Sequence, residues 1–370
     1  MLRWTLLLVI GSAFSAFAGQ ATTPAAGSTP TRTEAEVKAL IQKIGSTPPD
    51  WLASTPLNYP KTLDVSFKPP PKGSPWDTNK WISQYFWSVV NENPGKWKEG
   101  IKLLHYALTV NQNDAAALKS TMDCLAEHYH NLFADYARAA FWYEKSGKTQ
   151  ALNLANCYYQ LGNKAMAKAL LTQIGDDNTR HCSVVKLWGD IGEPEIAIKL
   201  AEKVANNDGE PDNGFLAAGD VCRKYKRFPE AVAYYQKVVG TQNTRTRKED
   251  FARAKKQAQD NIDAIKVSEL LDLKKIKDGA YKGVSESYSG PLEVTVTVTA
   301  GKISDCKVTR HIDKQYYNAL YVVPQQIIEK QGIKGVDTYA SATITSTSII
   351  NSTVKALCGA MNAPAATAGK

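Results

Sequence analysis

No two of the six cysteines stand at Cys-x-x-Cys spacing, which removes the usual signatures of structural zinc, haem attachment and thioredoxin-type chemistry. No stretch reaches the ~20 apolar residues that a membrane-spanning helix needs. The formal charge of +9 is spread along the chain without a long Lys/Arg block. Such a balance suits peripheral adhesion to an anionic membrane surface and gives no footing for nucleic-acid recognition. No acid-rich cluster accompanies His105, His128, His130 or His181, and His128 and His130, two apart, face different sides of a helix. Neither a metal site nor a paired acid/base set is therefore expected, and no residue is assigned as catalytic.

What is present begins with an export signal. Met1-Leu2-Arg3-Trp4 is a short positive leader, Thr5 to about Phe14 an apolar core, and Ala16-Phe17-Ala18 a small-x-small cleavage pattern. Residues 1–18 read as a signal peptide, so the mature protein is expected to be exported, periplasmic or extracellular. No cysteine follows the cleavage point, which argues against a lipid anchor. In that setting disulfides are permitted. Cys306 and Cys358 share the C-terminal segment, where they form either a staple or two buried thiols. Cys124, Cys157, Cys182 and Cys222 sit in helical patterns as small core hydrophobes.

At 370 residues, with 43% hydrophobic residues, the chain has material for two or three domains with real cores. Residues 19–75 form an N-terminal arm, flexible at first and then extended and Pro-punctuated. Its scattered apolar residues (Trp51, Leu57, Leu63, Phe67) predict packing along something larger. From 76 to 266 the period is helical. Arg138–Lys145 matches Glu230–Lys237 closely, and a small anchor recurs at Ala139, Ala167, Ala197 and Ala231. Turns at Tyr159–Asn163, Asp190–Pro194 and Tyr225–Pro229 precede the later copies. A small anchor lets two antiparallel helices approach, and the unit repeats roughly every 30 to 34 residues, the period of helical repeat arrays. This region resembles tetratricopeptide repeats, which predicts an α-helical repeat solenoid able to dock a protein partner. Lys248 to Lys266, polar on most faces, is expected to cap the array.

From 270 to 361 the chain reads as a small α+β unit, with 362–370 as a disordered tail. Leu292–Thr299 alternates strictly over eight residues and is the clearest strand. Ala300-Gly301-Lys302 turns it into a second strand from Ile303 to Thr309. Helices are predicted over Val322–Lys330 and Thr345–Leu357, the latter burying Ile349, Ile350, Val354 and Leu357. Between them lies Gly335 to Ser346, rich in small and hydroxylic residues, at the start of a helix where free N–H groups suit a phosphate.

Asp-Gly-x-Tyr-x-Gly at 278–283, Tyr-x-Gly-Pro at 288–291, Pro324-Gln325-Gln326-Ile327-Ile328, and Asp-x-x-x-x-Ala-Thr-x-Thr-Ser at 337–346 occur in that order. In this order the segment resembles the FMN-binding domain family, which includes the C subunit of sodium-pumping NADH:quinone reductase and the Rnf G subunit. The resemblance implies FMN as cofactor and a flavin transferase as partner, which joins FMN through its phosphate to the last residue of an Asp-x-x-Ser/Thr-Gly-Ala-Thr/Ser motif. On this chain Asp337 matches the acid, Ala342 the alanine and Thr343 the acceptor. Ala340 replaces the usual hydroxyl residue and Ser341 the usual glycine, with Ser341 or Thr345 left to supply the lost donor. Ser346, Tyr288 and Gly290 complete the expected cofactor-binding set. Tyr281 and Tyr288 are candidates for the flavin face, and Arg310 for favouring the reduced flavin. The implied activity is electron transfer outside the cytoplasm, with donor and acceptor unspecified. Non-covalent FMN, or a repeat scaffold that has lost flavin, stays open on the residues alone.

Overall fold

The computed structural model describes residues 30–147, 150–175, 182–207, 211–242, 248–268, 271–313, 318–339 and 342–362. Residues 1–29, which hold the expected signal peptide and the start of the arm, lie outside them, as do His181, Ala340, Ser341 and residues 363–370. A short helix α1 (Glu34–Leu40) and α2 (Ile82–Tyr85) precede the main helices: α3 (Trp97–Val110), α4 (Ala115–Asn131), α5 (Tyr136–Lys145), α6 (Ala151–Gln160), α7 (Lys164–Ile174), α8 (Cys182–Ile191), α9 (Pro194–Asn207), α10 (Pro211–Lys224), α11 (Phe228–Gly240) and α12 (Lys248–Ser268). The C-terminal unit follows as β1 (Gly279–Glu286), β2 (Pro291–Thr299), β3 (Lys302–Arg310), α13 (Ala319–Lys330) and α14 (Thr343–Asn362). The protein is mostly helical, with one small antiparallel sheet in the order β1-β2-β3.

From α3 to α12 each helix packs against the next. Ala139, Ala167, Ala197 and Ala231 are fully buried on α5, α7, α9 and α11, so a methyl is all the space between neighbouring helices admits. The turns before the last three reverse through positive φ at Gly162, Gly192 and Lys226; glycine takes that conformation freely, whereas lysine bears some strain. The arm is seated on these helices from Pro30 onward. Thr33 and Glu36 form a capping box for α1. Val37, Ile41, Leu52 and Leu63 enter the helical core, while Lys102 donates to the Leu52 carbonyl at 3.0 Å and Asn111 to that of Val65 at 2.8 Å.

Alternation along β2 buries Leu292, Val294, Val296 and Val298 completely. Ala300 and Gly301, both at positive φ, make the tight turn into β3. Helix α14 lies across β1 and β2, and α13 packs on β3. The contact at β1 is so close that a Cβ on Gly283 would stand 1.9 Å from the Ser352 carbonyl oxygen. All six cysteines are free; Cys306 Sγ sits 3.9 Å from Thr353 Oγ1, and Cys358 packs with Ala264 and Val354, so the staple is replaced by two separate buried thiols.

Helix α12 corrects the expectation of a terminal cap. It packs on α10 and α11 with one side and on β1 and α14 with another. Its second seam is built from Ala264 and partly from polar groups: Lys355 Nζ meets Asp260 at 2.6 Å, and Asn351 donates to Asn261 at 2.5 Å. A seam of alanine and paired polar residues carries no apolar stripe, which is why the sequence reads as solvated.

Candidate functional site

Helix α14 begins at Thr343, two residues earlier than expected. The Ser346 N–H donates to the Ala342 carbonyl at 2.9 Å, making Ala342 the residue before the helix. The N–H groups of Thr343, Ile344 and Thr345 therefore have no partner within the helix. Ser346 completes this start from inside: its hydroxyl accepts the Tyr339 N–H at 2.9 Å and donates to the Ala342 carbonyl at 2.7 Å.

The loop before α14 is held on three sides. Gln326 of α13 clamps the backbone of Asp337, accepting its N–H at 2.9 Å and donating to its carbonyl at 3.3 Å. Tyr339 is buried against the helices; its hydroxyl donates to the His130 carbonyl at 3.4 Å and accepts from the Tyr136 hydroxyl at 3.5 Å. Asp337 reaches α8 and α10: Lys224 Nζ lies 2.8 Å from one carboxylate oxygen and Lys186 Nζ 3.8 Å from the other. Both lysines also pair at 2.6 Å with the buried Asp190. Burial would raise the Asp337 carboxyl, but Lys186 and Lys224 outweigh it and hold it at about 2. Burial also opposes the charge on Lys224, and Asp190 and Asp337 overcome this to raise it.

Asp313, just after β3, organises the floor beneath the helix start. Its buried carboxylate accepts from the Ser287 hydroxyl at 2.5 Å, the Ser289 N–H at 2.7 Å and the Thr345 hydroxyl at 2.6 Å. The Thr345 hydroxyl is thus committed to the protein, while Thr343, the first helical residue, stands partly exposed.

These pieces enclose a cavity of about 910 Å³ between the helical array and the C-terminal unit, within the usual size of small-molecule and cofactor sites. Asp337, Ala342, Thr343, Thr345 and Tyr288 line it from one side; Lys186, Asp190, Asp220, Arg223 and Lys224 line it from the other, with Trp87 alongside. Tyr288 is exposed, and the Arg253 guanidinium stands 5.5 Å from its ring centre. Burial pushes the Asp220 carboxyl up to about 6, against the pull of the Tyr235 hydroxyl it accepts and of Arg223 and Lys186.

The structure thus brings together Asp337, Ala342, Thr343, Thr345 and Tyr288. Ser346 and Gly290 do not line the cavity; Ser346 caps from beneath, and Gly290 closes the β1–β2 turn by accepting the Ser287 N–H. Ser341 lies outside the described residues. Tyr281 is not in the wall either and donates to the Lys277 carbonyl at 2.7 Å. Arg310 stands exposed at the end of β3 opposite Glu293, away from the cavity, because the last residue of an edge strand points to solvent. His128 and His130 are structural: His128 bonds Asn91 and the Cys124 carbonyl, His130 bonds Asn131 and Asn156, and burial lowers both. The helical wall was missed because its charged residues sit on faces that read as solvated.

Residues 287–358 match the family model described as an FMN-binding domain. No curated protein matches the chain. The match supports a flavin-binding role for this part of the chain, with FMN as the cofactor. The residues present fit that group: a helix start whose first N–H groups have no partner within the helix suits a phosphate, and Arg223 lines the same cavity.

Proposed function

We propose that this chain is an exported flavoprotein that carries FMN on Thr343 and works in electron transfer outside the cytoplasm. The observation that carries the reading is the position of Thr343. It is the first residue of α14, it lines the cavity, and the free N–H groups of the helix start gather there.

In this reading the Thr343 oxygen attacks the flavin-side phosphorus of FAD, presented by a flavin transferase. The new P–O bond replaces the pyrophosphate bond, AMP departs with the bridging oxygen, and the hydroxyl proton leaves to solvent. The helix N–H groups stabilise the phosphate oxygens, Gln326 and Tyr339 fix the loop, and Asp313 holds Thr345 away from competing for the ester. Bound FMN supplies one- and two-electron chemistry, and the chain supplies position and electrostatics. The helical region, in tetratricopeptide-like fashion, docks a partner protein, and the positive balance favours peripheral contact with an anionic membrane surface.

The test is the intact mass of protein exported from a host that contains a flavin transferase. The expected gain is one FMN less one water, absent in Thr343→Ala and retained in Thr345→Val. Yellow protein that loses its colour on denaturation would assign non-covalent FMN instead. Colourless protein with no added mass would leave a scaffold without flavin.

A further inference from the structure

We propose that Arg223, contributed by the helical array, is the residue that recognises the polar edge of the flavin ring and favours its reduced form. This rests on the reading of the cavity as an FMN site and adds a recognition residue from outside the segment that matches the flavin family.

Arg223 stands next to the last residue of α10, and its guanidinium is held at the junction of α10, α12 and α14. Its Nη1 donates to Asn351 of α14 at 3.1 Å and approaches Asn261 of α12 at 3.4 Å. The two asparagines are themselves joined at 2.5 Å and buried. The fork is therefore fixed before any ligand arrives. Arg223 as a residue is part of the cavity wall, and its Nη2, covered from solvent, has no hydrogen-bond partner among the described residues. A charged side chain fixed in advance meets a ligand at little ordering cost.

The location selects which part of the ligand. Asn351 lies eight residues beyond Thr343 on α14, about 12 Å along the axis at 1.5 Å per residue. A phosphate esterified to Thr343 belongs at the helix start, where the N–H groups of the first turn gather. The guanidinium two turns further on is left to face the other end of the molecule, the ring. The pyrimidine edge of an isoalloxazine offers carbonyl and imine acceptors in one plane, which suits a planar guanidinium. The same edge carries added negative charge when the ring is reduced, and a fixed guanidinium in a confined site stabilises that charge. Arg310, the other candidate, stands outside the cavity.

The experiment uses full-length apoprotein made without a transferase, titrated separately with FMN and with riboflavin, which lacks the phosphate. Arg223→Met should weaken both by a similar factor, about tenfold to a hundredfold. Arg223→Lys should recover part of the loss. In transferase-loaded protein, Arg223→Met should move the midpoint potential to a more negative value with the mass gain intact. Weakening of FMN alone would place Arg223 on the phosphate and overturn the proposal, as would equal affinities and an unmoved potential in both variants. Arg223→Lys supplies the reading if Arg223→Met does not fold. Wild-type protein that binds neither flavin and gains no FMN mass in a transferase-containing host would refute the FMN site itself.

Discussion

Removing the charge of Asp337 while keeping its shape tests the bond between the loop before α14 and the helical array. In Asp337→Asn the side chain still offers an oxygen to the Thr338 N–H, but Lys186 and Lys224 are left to share Asp190 alone. Asp337 is held at about 2 against an ordinary 3.8, because the two lysines outweigh the effect of burial. A carboxyl depressed on folding stabilises the native state above its unfolded value, and that contribution disappears as pH falls through the folded one. Nearly two pH units correspond to ~2.4 kcal/mol before screening. The side chain is 40% exposed, which reduces the expectation to about 1 kcal/mol. Urea unfolding of wild type and variant at pH 7, 5 and 2 should show the full difference at the first two values and little at the last. Salt at 0.5 M should shrink it at pH 7. A cycle with Lys224→Met should return a coupling of similar size. Equal stability at pH 7, or a difference that persists undiminished at pH 2, would refute the argument, since the first denies the pairing and the second denies its electrostatic origin.

Two further substitutions test the frame around the cavity. Gly283→Ala places a Cβ 1.9 Å from the Ser352 oxygen and 2.6 Å from the Ala356 nitrogen, both backbone atoms. It should cost about 3 kcal/mol in thermal or urea unfolding, whereas Gly95→Ala, which meets nothing within 4 Å, should be near neutral. Asp313→Ala strips the acceptor from Ser287, Ser289 and Thr345 together. At ~1 kcal/mol or more for each of the two buried hydroxyl donors left unpaired, it should lose at least about 2 kcal/mol and release non-covalently titrated FMN.

Legibility followed the range of the interactions. The strict alternation of Leu292–Thr299 specified a strand with one buried face, and Leu292, Val294, Val296 and Val298 form that face. The recurring alanines marked the close contacts on four helices, and Ile349, Ile350, Val354 and Leu357 marked the buried side of α14. Each of these signals is local. The start of α14 was misplaced by two residues because Thr345, a plausible cap by type, spends its hydroxyl on Asp313, 32 positions away. The helical wall of the cavity was illegible for the same reason on a larger scale. Lys224 and Asp337 are separated by 113 positions and Arg223 and Asn351 by 128, and neither pair leaves a periodic trace.

Those distant partners also change what Asp337 does. An acid beside an acceptor hydroxyl can either orient it or activate it. A carboxylate held at about 2 by two lysines is too weak a base to draw a proton from a threonine hydroxyl at neutral pH, since efficient proton transfer needs a base poised near the working pH. The four charges of Lys186, Asp190, Lys224 and Asp337 also cancel, so the network as a whole adds no net attraction for an incoming phosphate. Its effect is to fix where the loop sits against α8 and α10, and with it the first turn of α14. Attraction for the ligand's charge is then left to the helix N–H groups at Thr343 and to Arg223 two turns away. Under the proposed function Asp337 therefore acts through the position of Thr343, and the helical array belongs to the proposed site because it holds the other end of that ion pair.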